Sequence, residues 1–128
     1  MLFRYPDIYH TGMSIAPVPL QLLYDNVYQE RYMGSPVDDY DSYIEGSPIT
    51  YAKNLKGNLL LVHGTGDDNV HYQGSELLIN ELVKHNKYFT MFAYPNRSHG
   101  IYEGPGTTKH LRQMLTRYLL ENLPPAGK

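Results

Sequence analysis

At 128 residues with a formal net charge of −2, the chain has room for one domain at most. It carries neither a basic stripe suited to nucleic acid nor a charged tail suited to a membrane surface. Its longest apolar run, Leu59 to Val62, is far too short to cross a bilayer. The absence of cysteine excludes disulfides, thiolate metal sites and a cysteine nucleophile, and leaves the redox compartment open.

Taken in chain order, Met1-Leu2-Phe3-Arg4-Tyr5-Pro6-Asp7 lacks the basic start, long apolar core and small-residue cleavage site of a signal peptide. It reads as the last turn of a helix, stopped by Pro6. The apolar run Met13 to Ala16 predicts a first strand. A long excursion from Tyr24 to Gly57 follows, rich in tyrosine and acidic at Asp38, Asp39, Asp41 and Glu45, and it reads as a solvated face. Within it, Ser47-Pro48 predicts a helix start, with serine as cap and proline preset for the first helical position. Leu59 to Val62 predicts a second strand, and Ser75 to Asn86 a helix with Leu78, Leu82 and His85 on one stripe. Phe89 to Tyr94 predicts a third strand. Leu111, Met114, Leu115, Tyr118 and Leu119 recur at helical spacing, and Pro124-Pro125 ends that last helix.

The three strands are nearly continuous apolar runs, as expected of parallel strands with helices on both faces. The order strand, excursion, strand, helix, strand, helix predicts an α/β fold, half of a doubly wound parallel sheet of about three strands. A half-sheet exposes an unpaired inner edge and an uncovered apolar face. Such a chain is expected to be marginal alone, or to associate with itself or with a missing half.

Two stretches carry the chemistry. In Leu61-Val62-His63-Gly64-Thr65-Gly66-Asp67-Asp68-Asn69-Val70-His71, a buried strand runs into a turn that offers two carboxylates and an amide. Open α/β sheets build their sites at this end of their strands. An acid there can orient a histidine, or simply serve the turn through local backbone bonds. In Tyr94-Pro95-Asn96-Arg97-Ser98-His99-Gly100-Ile101, a histidine sits in the loop after the next strand. Alone it would read as a solvent-facing side chain. An acid after one strand and a histidine after the next, however, match the chain order Ser, Asp, His.

The remaining histidines read as structural. His63, at a strand end, packs or bonds locally; His71 and His85 lie on or near the following helix; His10 and His110 read as exposed. No pair has a dependable ligand spacing with a third ligand nearby, so no metal is expected. A nucleophile is harder to find. Gly12-Met13-Ser14-Ile15-Ala16 imitates an elbow on paper, but Ser14 lies inside an apolar run rather than at the apex of a strand-to-helix turn. Ser35, Ser47, Ser75 and Ser98 lack that setting too.

Ala16-Pro17-Val18, Tyr24-Asp25-Asn26-Val27-Tyr28-Gln29-Glu30-Arg31-Tyr32-Met33-Gly34, His63 to His71, and Ser98-His99-Gly100-Ile101 together resemble the catalytic domain of the dipeptidyl peptidase IV group within the prolyl oligopeptidase family. The resemblance runs from about Phe3 to Leu120. It implies an α/β-hydrolase fold, of which residues 1–128 would form a partial domain beginning after the nucleophile elbow. Asp67 would be the triad acid, His99 the general base, and Asn69 a group orienting the substrate carbonyl. Tyr24 and Tyr28, with Val70 completing one wall, would line a pocket for proline, whose flat apolar ring has no N–H to satisfy.

The same resemblance implies a serine peptidase acting on peptides, with no cofactor. Its nucleophile, oxyanion donors and β-propeller would belong to a preceding part of the enzyme, and a homodimer is an alternative association. A periplasmic or secreted location is implied by the family alone. Where animal members carry Arg-Trp-Glu-Tyr, this chain has Leu20-Gln21-Leu22-Leu23, which loosens the expectation of strict proline preference. Two rival readings fit the same residues: a general esterase or acylaminoacyl peptidase of the same fold, and a non-catalytic binding or dimerisation module.

Overall fold

The computed structural model describes residues 1–123, so the helix stop expected at Pro124-Pro125 lies outside the described residues. The elements in chain order are β1 (Thr11–Ile15), a short 3₁₀ turn (Gln21–Leu23), α1 (Asn26–Met33), α2 (Tyr40–Gly46), a 3₁₀ helix (Pro48–Asn54), β2 (Asn58–Gly64), α3 (Gln73–Lys84), β3 (Thr90–Tyr94) and α4 (Thr107–Asn122). The strands form a parallel sheet in the order β1-β2-β3. This is the parallel α/β sheet of about three strands that the sequence led us to expect.

β2 is the central strand, and its composition explains why. Successive side chains of a strand point to opposite faces. Leu59 and Leu61 enter one cluster with Ala52, Leu55, Leu78 and Leu82. Leu60 and Val62 enter the other with Tyr94, Ile101, Leu111 and Tyr118. Both faces are therefore dry, which is what an uninterrupted Leu-Leu-Leu-Val run requires. The first cluster is roofed by α3 and the 3₁₀ helix, and the second by α4. β1 is less covered: Met13 and Ile15 remain 39% and 44% exposed, and among the described residues β2 is its one strand partner.

Several boundaries differ from expectation for local reasons. β1 ends at Ile15 rather than Ala16, because Ala16 turns into the left-handed region at φ 46°. β2 extends through His63 and Gly64, paired with Ala93 and Tyr94. α3 starts two residues earlier than Ser75 and stops at Lys84, where His85 caps it by donating its N–H to the Glu81 carbonyl at 3.2 Å. Ser47 takes the expected N-cap position before Pro48, but its side chain makes no cap bond. Its hydroxyl donates to the Tyr43 carbonyl at 2.6 Å and accepts from the Gln21 N–H at 2.9 Å, and the segment it precedes is 3₁₀ rather than α. Leu119, placed on the buried stripe of α4, is exposed, whereas Leu111 and Tyr118 are buried. Residues 2–8 form turns rather than a helix end; two bonds of helical spacing remain, Tyr5 N–H to the Met1 carbonyl at 2.9 Å and Tyr9 N–H to the Tyr5 carbonyl at 3.0 Å.

The acidic excursion folds into two capped helices. Asp25 accepts from the Val27 N–H at 2.8 Å to start α1, and Asp39 accepts from the Ser42 N–H at 3.2 Å to start α2. Each satisfies an N–H that the first turn leaves without an intrahelical partner. Asp38, Asp39, Asp41 and Glu45 are exposed, as expected of a solvated face. Tyr43 anchors the excursion from within, buried to 1% exposure, with its hydroxyl donating to the Gly34 carbonyl at 2.7 Å.

Candidate active site

The register of β2 and β3 brings two loops side by side. Gly64 pairs with Tyr94, so the turn carrying Asp67 and the loop carrying His99 leave the carboxyl ends of adjacent parallel strands. Backbone bonds then lace the loops together: Thr65 N–H to the Tyr94 carbonyl at 2.9 Å, Gly66 N–H to the Arg97 carbonyl at 3.1 Å, and Asn96 N–H to the Thr65 hydroxyl at 2.8 Å. Gly64 is what allows the approach, since a β-carbon there would land on the Arg97 carbonyl.

Asp67 is held from four directions. Its Oδ1 accepts the N–H groups of Asn69 and Val70 at 3.0 and 2.9 Å. Its Oδ2 accepts Nδ1 of His99 at 2.9 Å and Nε2 of His63 at 3.0 Å. The side chain is fully buried. Burial, the largest single influence, works against the charged form. The hydrogen bonds from His99, Val70, Asn69 and His63 together outweigh it, and the carboxyl is held below the ordinary carboxylate value.

His99 is 44% exposed at its side chain, and among the described residues its Nε2 has no hydrogen-bond partner. The Nδ1 bond to Asp67 leaves Nε2 as the outward, basic nitrogen. The loop around it is tightly drawn. The Glu103 carboxylate accepts from the Ser98 N–H at 3.3 Å and the Tyr102 N–H at 3.2 Å, and it also takes the Ser98 hydroxyl. The Ser98 hydroxyl is the foremost of the interactions that hold the Glu103 carboxyl below its ordinary value. Ile101 sits at φ 48°, costly for a β-branched residue at about 1–3 kcal/mol. Its burial to 1% exposure against Tyr94 and Leu111 holds it there.

The expected pocket residues are brought together in part. Tyr24 stacks edge-on against Tyr28 at 5.6 Å between ring centres, and Tyr28 against Tyr32 at 5.0 Å. The Tyr24 hydroxyl donates to Oδ1 of Asn69 at 3.4 Å, which ties the aromatic wall to the acid turn. Tyr28 is 55% exposed. Val70 is buried, and its backbone serves the site at both ends: its N–H holds Asp67 and its carbonyl accepts from His63.

No serine among the described residues bonds His99. Ser14 lies in mid-strand, Ser47 is committed to backbone, Ser98 to Glu103, and Ser75 to Nδ1 of His63 at 2.8 Å. Among the described residues there is no cluster of three metal-ligating side chains and no helix long and apolar enough to cross a membrane. His10 and His110 are exposed, although His110 Nδ1 accepts the Tyr94 hydroxyl at 2.7 Å. Sequence reasoning placed His63 at a strand end with local bonds but missed that it shares the Asp67 carboxylate. It also missed Ser75 and Glu103 as parts of the site. The available signal was parity: residues 59, 61 and 63 of β2 face α3, on which Ser75 lies.

The family model described as the prolyl oligopeptidase family matches residues 1–125. Dipeptidyl peptidase 8 of Homo sapiens is 36% identical over 125 residues, covering 95% of this chain and 14% of that protein. Dipeptidyl peptidase 4 of Felis catus is 41% identical over 101 residues, 77% of this chain and 13% of its own length. The crystal structure of Porphyromonas gingivalis dipeptidyl peptidase 4 superimposes with a TM-score of 0.91 at 38% identity, over 95% of this chain and 17% of that one. The chain thus spans about one seventh of the length of the curated relatives it matches. It belongs to the prolyl oligopeptidase family.

Proposed function

We propose that this chain is the acid-and-histidine portion of a serine peptidase that releases dipeptides from peptide amino termini, after proline or a small residue. The observation that carries the reading is the 2.9 Å bond between His99 Nδ1 and a fully buried Asp67 carboxylate, at the ends of two adjacent parallel strands. With Nδ1–H donated to Asp67, the Nε2 lone pair faces outward. There it takes the proton of an attacking serine hydroxyl and returns it to the leaving amine. Asp67 stays ionised and stabilises the imidazolium between those two transfers.

The serine and the oxyanion donors come from a segment preceding this chain in the complete enzyme. The relatives' much greater length supports this. So do the half-exposed Met13 and Ile15 of β1 and the apolar cleft beside them, lined by Leu2, Phe3, Gly12, Met13, Leu59 and Leu61. On the substrate side, Tyr24 and Tyr28 offer flat walls for a proline ring. Asn69, whose carbonyl oxygen is taken by Tyr24, keeps its amide nitrogen to donate to a substrate carbonyl.

The test pairs fluorophosphonate labelling with a Gly-Pro chromogenic substrate, on this chain and on the complete enzyme. The chain alone is expected to take no label and turn over nothing. The complete enzyme does both, and His99→Ala abolishes both. Turnover by the chain alone, or a fully active His99→Ala enzyme, would overturn the reading.

A further inference from the structure

His63 shares Oδ2 of the Asp67 carboxylate with His99, and its other partners bear on its tautomer. Nε2 faces two acceptors, Oδ2 of Asp67 at 3.0 Å and the Val70 carbonyl at 2.8 Å, so it carries the proton. Nδ1 faces Oγ of Ser75 at 2.8 Å, and a hydroxyl can donate there to the ring's lone pair. For a singly protonated ring, one arrangement satisfies all of these atoms: Ser75 O–H to Nδ1, and Nε2–H to Asp67 and Val70. The edge of the Tyr72 ring against the imidazole, 5.4 Å between centres at 73°, limits its tilt. Among the described residues no buried side-chain polar atom is left without a partner.

Read along the bonds, the order Ser75, His63, Asp67 imitates a catalytic triad. It cannot act as one. Ser75 and His63 are both 0% exposed, so no acyl group reaches the hydroxyl. We infer instead that Ser75 and His63 are positioning residues of the triad acid. Ser75 sets the His63 tautomer, and His63 holds Oδ2 of Asp67 in the line that aims His99. The amides of Asn69 and Val70 pin only Oδ1. Without Nε2–H on the inner side, Oδ2 can swing about that pivot and carry the His99 imidazole with it. Small misplacements of a general base are expensive in rate. The inference rests on the triad reading above.

The test uses the complete enzyme with His63→Leu, His63→Gln and Ser75→Ala, and with His99→Ala alongside. Glutamine can present a donor near the place of Nε2, whereas leucine fills the space without one. Leucine is expected to lower kcat by about 10- to 100-fold, a larger change than in KM, since it disturbs the Asp67–His99 line directly and the Val70 wall only through its carbonyl. Glutamine should recover most of that loss, and Ser75→Ala should fall between them. Melting temperature and circular dichroism are followed for every variant. A folded His63→Leu enzyme with parental kcat would overturn the inference. So would equal losses for leucine and glutamine that track their melting temperatures, because then His63 only packs. An active His99→Ala enzyme overturns the triad reading itself, whereas an inactive one beside an unimpaired His63→Leu enzyme overturns only the positioning role.

Discussion

Gly64 lies directly beneath the Arg97 carbonyl, so close that a β-carbon on residue 64 would collide with it. This contact lets the loop after β3 fold back over the end of β2, and so puts His99 beside Asp67. A smooth strand end with any other residue would push the two loops apart.

Gly64→Ala therefore tests the approach of the loops. The methyl group cannot be absorbed by a flexible side chain, because what it meets is backbone. We expect a destabilisation of about 1–3 kcal/mol, the usual range for overpacking, read from denaturant melts of the chain. In the complete enzyme we expect a fall in kcat larger than any change in KM. Parental stability together with parental kcat would show that the loops do not need the approach.

Asp67 predicts an acid-side loss of stability. Its folded value is depressed below the ordinary 3.8, so its contribution is fully present above that value and disappears as pH falls through the lower folded one. Asp67→Asn keeps the shape but cannot titrate. The parent should therefore lose more stability than the variant as pH drops from about 5 towards 2, measured as urea midpoints at matched ionic strength. Parallel curves would mean that the carboxylate contributes nothing of this kind.

Glu103 governs the loop rather than the chemistry. Its carboxylate gathers Ser98 and Tyr102, which flank His99, Gly100 and Ile101 in the loop. Glu103→Gln removes the charge from these bonds. Hydrogen exchange at the Ser98 and Tyr102 amides should accelerate, and kcat of the complete enzyme should fall severalfold, with β2 amides unaffected. Unchanged exchange at those two amides would remove Glu103 from the loop's support.

Much of this protein is legible one element at a time. The apolar runs of β2 and β3, the stripe of α3 and the capping residues act within windows of a few residues, where periodicity and backbone chemistry suffice to read them. The placement of Asp67 and His99 after adjacent strand ends is legible for the same reason, since each follows a strand in a glycine-bearing turn. The tertiary structure alone decided what lies between elements. Ser75 meets His63 because α3 crosses the face of β2 that odd-numbered residues share. Leu119 lies open although its spacing matches Leu111 and Tyr118, because the core beneath α4 gathers Leu111, Met114, Leu115 and Tyr118 and leaves Leu119 at the edge of that stripe. Ser47 bonds Gln21 rather than its own helix, since the chain turns back on itself there. Such pairings cross gaps of 12 to 26 residues. No local propensity spans that distance; packing selects the partner, and the desolvation cost of leaving a buried polar atom unbonded makes the selection strict.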